Sequence, residues 1–388
     1  MQDESRCSHL LVALGVAVAL ACRALPWLLQ PQLALDDGAF FFAQNYSEFQ
    51  WGAIFRPYAG YVPVGTNLSA LLLCRLPIAW IPVAFVLAAM VMMFGCARTL
   101  LRPAWEQVAP YRIRVAMAYG LVVIPFGSNL EFTSLAYAQW PQMLWLFLLL
   151  MEPLRATGRR RRHELGRCGL VVFLAIANPL SVLLAPLGLL PMARSMGRLD
   201  WRWFLAAVAG YWLMTLALLD GLVTQASTAL PSLLEQLLFA VGVKVVLEGC
   251  VGVSGAAALY EQSPVVHLSA AVLLSGLMAT VIWMSWSKLT RSARVFACAC
   301  FWLLLSTLAA SLVARPDWMD SSRYAVRYAW LGRAVMWLVL LCALGVRWRA
   351  PVALLVLGVF AFGLANGNWR MHYHPGNQDE IHGLVEDL

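Results

Sequence analysis

The chain has 388 residues, of which 61% are hydrophobic and 12% charged, with a mean hydropathy of +0.72. A soluble fold cannot bury that much apolar surface, so the class is an all-α polytopic membrane protein. The net charge of +8 is no sign of nucleic-acid binding, because most of the excess sits in short loops between apolar stretches, where positive charge sets orientation.

Residues 9–30 form the first apolar stretch. A cleaved signal peptide is the competing reading, but the length of the stretch, Arg23 within it and its direct run into Asp36 and Asp37 favour an uncleaved first helix. Residues 31–66 are too polar and aromatic to cross. Residues 67–78 read as a short interfacial helix and 80–97 as a span. Arg98, Arg102, Arg112 and Arg114 mark a cytoplasmic loop. Residues 115–127 and 134–151 then make a hairpin, and the basic run Arg155 to Arg167 returns the chain to the inside. Residues 168–193 are broken by Asn178-Pro179 and by Pro186 and read as two half-helices, since a proline frees a carbonyl that only protein or water can satisfy. Further spans fall near 203–223, 264–286, 295–314, 329–347 and 350–365.

This pattern predicts one transmembrane domain over 1–365 with a cytoplasmic N-terminus, and a short tail over 366–388. The polar segments 31–66, 128–139, 224–262 and 315–328 lie outside with the tail. Residues 224–262 read as a long loop with amphipathic helices of its own.

Asp36-Asp37, followed by Phe40-Phe41-Phe42, is the most unusual chemistry in so apolar a chain. Two carboxylates about 4 Å apart repel by roughly 4 kcal/mol at an effective dielectric near 20. A vicinal pair therefore divides into a proton acceptor and an acid that orients its neighbour or holds a cation. The plainer reading is a polar cap at a helix exit. Arg56 with Tyr58 and Tyr61 joins a planar fork suited to phosphate to rings suited to stacking; an aromatic belt with a snorkelling arginine fits the same residues.

Glu131, Gln139 and Trp140 in the outer hairpin are a third candidate, as sugar-pocket residues or as helix caps. Arg315, Arg323, Tyr324 and Arg327 form a fourth, because arginines on an outside loop run against the usual charge bias. Phosphate would explain them, as would ion pairs with Asp317 and Asp320. Lys244 and Glu248, four apart on a helix, pair with one another, and His267 near a span start is structural. His372, His374, Asp379, Glu380 and His382 could bind a metal, but their spacing matches no known ligand set closely and favours a solvated tail. The nine cysteines are scattered singly, apart from Cys298 and Cys300, which excludes a disulfide framework or a structural zinc site. The chain has no Walker loop, dinucleotide fingerprint or Gly-x-Ser-x-Gly elbow.

In this order, Asp36-Asp37, the Arg56 to Tyr61 loop, Asn129 through Trp140, Pro179 to Pro186 and Ser322-Arg323-Tyr324 resemble the GT-C superfamily of membrane glycosyltransferases, and more closely a group of uncharacterised bacterial multi-span proteins related to it. Each motif is short, so the ordered set carries the likeness. The resemblance implies a bundle of about 10–12 transmembrane helices in the bacterial inner membrane, with a periplasmic first loop carrying short amphipathic helices. It implies an inverting transferase that moves a hexose or pentofuranose from a polyprenyl-phosphate donor to a glycan or protein acceptor such as a pilin. Asp36 or Asp37 would be the base, Arg56 and Arg323 phosphate ligands, and a divalent cation (Mg or Mn) a possible cofactor. Unlike many relatives, the chain carries no sizeable soluble C-terminal domain, so acceptor recognition would fall to the outer loops or to a partner. A transporter or flippase built around the broken helix at Asn178-Pro179 is the alternative, and a non-catalytic assembly subunit a third. A transporter calls for ionisable residues deep in its spans; Arg23 and Arg75 stand nearly alone in that respect.

Overall fold

The computed structural model describes residues 2–33, 36–46, 49–58, 61–123, 133–153, 161–189, 198–218, 230–314 and 326–347. Within them the backbone is almost wholly helical, as the hydropathy pattern requires. The first helix, α1 (Gln2–Leu29), is followed by a π-helical turn (Asp37–Phe42) and α2 (Ala43–Tyr46). A 3-10 turn (Trp51–Phe55), α3 (Val64–Leu73), α4 (Ile81–Leu100) and α5 (Tyr111–Val123) come next. After α6 (Gln139–Leu150) and α7 (Arg161–Ala177), a 3-10 half-helix (Pro179–Leu189) leads to α8 (Arg198–Leu218). Then follow α9 (Leu230–Phe239), a π-helix (Ala240–Leu247), α10 (Glu248–Gln262), α11 (Pro264–Trp286), α12 (Arg291–Ala314) and α13 (Val326–Arg347).

Five stretches are long and apolar enough to cross a bilayer: His9–Leu29, Ile78–Leu100, Trp201–Leu218, Pro264–Trp286 and Arg291–Val313, with a sixth if the bent pair Leu234–Gly252 and Gly255–Gln262 is one span. About 20 helical residues cover the hydrocarbon thickness. The helices turn apolar side chains outward: Trp283 is 82% exposed and Leu273 73%. Such a surface suits lipid and no aqueous phase. The protein is a multi-pass, all-α membrane protein. Its shorter apolar helices are Val64–Leu73, Leu165–Ala177, Pro179–Gly188 and Ala329–Gly345.

The core lies where α1, α4, α5, α6, α7, α12 and α13 converge. Close approach depends on small residues. A Cβ on Gly95 would stand 2.5 Å from the Trp145 ring, and one on Gly65 would stand 2.3 Å from the Cβ of Ala177. The second contact draws α3 onto α7 and buries Asn67 and Thr66, so α3 packs into the bundle where the sequence suggested a helix lying at the interface.

The basic turns gather on one face. Glu152 takes Arg102 at 3.0 Å and Arg167 at 2.9 Å, and Arg114 bonds Glu106 at 3.2 Å and the carbonyls of Leu101 and Arg102. The Thr290 hydroxyl donates to the Gln107 carbonyl at 2.7 Å, tying the α11–α12 turn to this face. Ser263 caps α11 by accepting from Val265 N at 3.2 Å, with Pro264 at the first helical position.

One expected element differs in its packing. The described part of 224–262 holds helices, as expected, but they are two apolar pieces bent by 113°, packed against α11 and α13, and broken at Gly252, whose φ of 75° suits glycine. Lys244 and Glu248 pair as their spacing of four suggested. They are buried because they pair at 3.0 Å and Arg333 of α13 closes on the same carboxylate.

Candidate active site

Asp37 opens the π-helical turn and is 1% exposed. Its carboxylate reaches across the chain: Leu135 N donates to Oδ2 at 3.0 Å and Ala136 N to Oδ1 at 2.8 Å. Those amides belong to the helical turn ahead of α6, where Ala138 N bonds the Ser134 carbonyl at 3.0 Å. Helices begin with unsatisfied amides, and α6 begins after Ala138, which has no side chain to cap with. Asp37, about a hundred residues away, satisfies the first amides of the turn that leads into α6 rather than those of α6 itself, and an anion is favoured at such a start. Burial nevertheless dominates its titration and pushes the carboxyl up to about 7. The Ala136 amide, the Ser134 side chain and the Leu135 amide pull the other way, and Asp36 adds to the rise.

Asp36 is half-buried. The Tyr58 hydroxyl is its hydrogen-bond partner, and burial followed by this contact keeps the phenol far above its ordinary range. Tyr58 is held by a two-rung antiparallel bridge with Tyr61, at 2.7 and 3.1 Å, and by the Phe40 and Phe41 rings at 4.7 and 5.3 Å. The turn is braced from below: Asn67 Nδ2 donates to the carbonyls of Ile54 and Arg56 at 3.1 and 3.0 Å. Arg56 Nη1 donates to the Gln44 carbonyl at 2.8 Å, fastening the turn to α2.

Tyr61 extends the cluster. Its hydroxyl donates to Gln139 Oε1 at 3.1 Å, while Asn178 Nδ2 donates to the Gln139 backbone carbonyl. Asn178 Oδ1 accepts from Leu180 N at 2.9 Å, satisfying part of the break ahead of the half-helix. Tyr211 of α8 donates to the Val62 carbonyl at 3.0 Å.

Among the sequence candidates, Asp36, Asp37, Arg56, Tyr58, Tyr61 and Gln139 thus form one connected group. Trp140 points elsewhere: it is 3% exposed in the main core. Glu131, Arg323 and Tyr324 lie outside the described residues, and Arg327 is described as a backbone position in the first turn of α13. Two participants were missed. In the sequence Asn178 reads as a helix breaker and as the centre of the transporter alternative, and Ser134 is not singled out. Asn67 and Arg75, which brace the first loop, carried no sequence signal for that role.

No group of three or more His, Cys, Asp and Glu that could hold a metal occurs among the described residues. Both oxygens of Asp37 already accept amides.

Compared with protein-family models, with curated proteins and with solved structures, the chain matches none.

Proposed function

We propose that the protein is a membrane glycosyltransferase of the GT-C kind, an inverting enzyme using a polyprenyl-phosphate-linked sugar. The observation that carries this reading is the asymmetry of the aspartate pair. One carboxylate is sealed in and tied to amides; its neighbour is open and meets a tyrosine. Asp36 then takes the proton from the acceptor hydroxyl as that oxygen bonds the anomeric carbon. The bond from the anomeric carbon to the donor phosphate breaks on the opposite face of the sugar, and the polyprenyl phosphate departs with the electron pair. Asp37 fixes the backbone on which Asp36 stands. Arg56, partly exposed, offers charge to the departing phosphate, and Tyr58 and Tyr61 border the sugar. Magnesium or manganese would add charge beside Asp36.

The wider reading follows: a bundle of about 10–12 spans in a bacterial inner membrane, its aspartate face periplasmic, with a surface glycan, lipid-linked glycan or exported protein as acceptor. The test is transfer from radiolabelled polyprenyl-phosphate sugars in membranes holding matched amounts of the protein. Asp36→Asn should abolish lipid-dependent transfer. Wild-type transfer by that variant overturns the assignment.

A second reading has an observation of its own. Lys244, Glu248 and Arg333 are buried in apolar helices beside the Gly252 break, and ionisable groups in such places mark substrate paths in transporters. In a transporter or flippase, Glu248→Gln would stop lipid or solute movement in proteoliposomes, and Asp36→Asn would leave it intact.

A further inference from the structure

The first loop carries an apolar surface that no span accounts for. Trp51 is 63% exposed and Phe49 43%, although they belong to a segment too short and polar to cross. Their rings meet edge to face at 4.9 Å. Arg75 stands over Phe49 at 5.6 Å and is itself exposed. Directly after Arg75 come Leu76, Ile78 and Trp80, at 41, 47 and 63% exposure, and Ile78 begins the span Ile78–Leu100. Two stretches of chain thus present exposed aromatic and aliphatic side chains around one arginine, continuous with a membrane-crossing surface. From Phe49 to Trp105 the sequence contains no aspartate or glutamate.

We infer that this patch is a membrane wedge that sits in the boundary between headgroups and acyl chains and prefers anionic phospholipid. Tryptophan and phenylalanine favour that depth, and an exposed arginine in a stretch bounded in sequence by Glu48 and Glu106 complements a negative leaflet surface. The wedge bears on the site because the Arg75 guanidinium also bonds the carbonyls of Asn45 and Tyr46. Those residues end the helical segment that Asp36 and Asp37 begin, so the depth of the wedge sets the depth of the aspartates. This inference stands apart from the transferase reading and holds equally for a transporter.

The test places the fluorescent residue acridonylalanine at position 51, and separately at position 80, in the full chain reconstituted in phosphatidylcholine vesicles with and without phosphatidylglycerol. A third probe replaces Glu106 on the opposite face, whose side chain is 57% exposed. Nitroxide attached near the lipid headgroup should quench positions 51 and 80 several-fold more than position 106, and aqueous iodide should show the reverse order. Position 51 quenched by iodide like position 106, and untouched by lipid nitroxide, overturns the wedge. Arg75→Gln should lose an enrichment of phosphatidylglycerol of about fivefold around the patch, the equivalent of ~1 kcal/mol per basic residue at such a surface, and Arg75→Lys should keep it. Equal quenching with and without phosphatidylglycerol in the unaltered protein overturns the anionic preference.

Discussion

Asp37 and Glu248 are both buried carboxylates, and the protein satisfies them by opposite means. Asp37 is held by neutral donors, the amides of Leu135 and Ala136. Glu248 is held by cations, Lys244 at 3.0 Å and Arg333. Neutral dipoles oppose only part of the burial penalty, so Asp37 titrates near neutral pH, at about 7. The charged cluster instead binds three helical pieces by mutual neutralisation, and its members depend on one another. The first arrangement suits a loop whose chemistry is tuned; the second suits a pin inside the bundle or a path through it.

This contrast can be broken in several ways. The largest effect is expected at Asp36. In the transferase reading, Asp36→Asn removes the base and lowers transfer by about 10²- to 10⁴-fold, whereas Glu248→Gln slows transfer only as far as it weakens the fold. The opposite ranking, read in the same membranes, would move the function to the buried cluster. Next in size is the cluster's contribution to stability. Arg333→Met leaves Glu248 and Lys244 without their third member and should destabilise by about 3–5 kcal/mol, read by chemical unfolding in detergent; replacing Lys244, Glu248 and Arg333 together with apolar residues should recover most of that loss. A triple variant as unstable as the single one would mean that packing, not charge, holds the break.

The pH dependence comes third and sharpens the comparison. The folded carboxyl of Asp37 has its affinity for protons raised from 3.8 to about 7, so between those values the folded state binds more protons than the unfolded one. Stability from this group is therefore complete below about 4 and lost as pH rises through 7. Asp37→Asn should flatten the fall between pH 4 and 7 in thermal unfolding, at some cost in overall stability because its amide group must face the Leu135 or Ala136 amide. An unchanged slope would place the titrating group elsewhere. The smallest effect is expected at Tyr61, where Tyr61→Phe removes the bond to Gln139 and should cost about 0.5–1.5 kcal/mol. Wild-type unfolding in that variant would show that the Tyr61–Gln139 bond adds nothing to stability.

The hydropathy pattern predicts α11 to the residue, because Ser263 and Pro264 mark its start chemically. It also locates α4 and α12 closely, since a run of some twenty apolar residues permits little else. Over 224–262 the same reasoning anticipates helices but not their packing against α11 and α13. The pairing of Lys244 with Glu248 was legible from their spacing of four, whereas Arg333, 85 residues beyond Glu248, was not. At the aspartates, residue types announced the chemistry and left both roles open. Asp37 became the anchor of the turn ahead of α6, and Asp36 the more open acid, only when the turn at 134–138 arrived from about a hundred residues away.

The amino-acid sequence by itself determined the membrane class, the helical content, the position of most spans and the segments that carry unusual chemistry. These are properties of neighbours along the chain, which local hydropathy and periodicity report. The tertiary structure decided which charges are buried together, which aspartate is sealed, that Trp140 is core while Gln139 joins the site, and that Asn178 connects the half-helix to α6. Those outcomes depend on contacts between distant residues, where one side chain's desolvation is offset by a partner that no local pattern reveals.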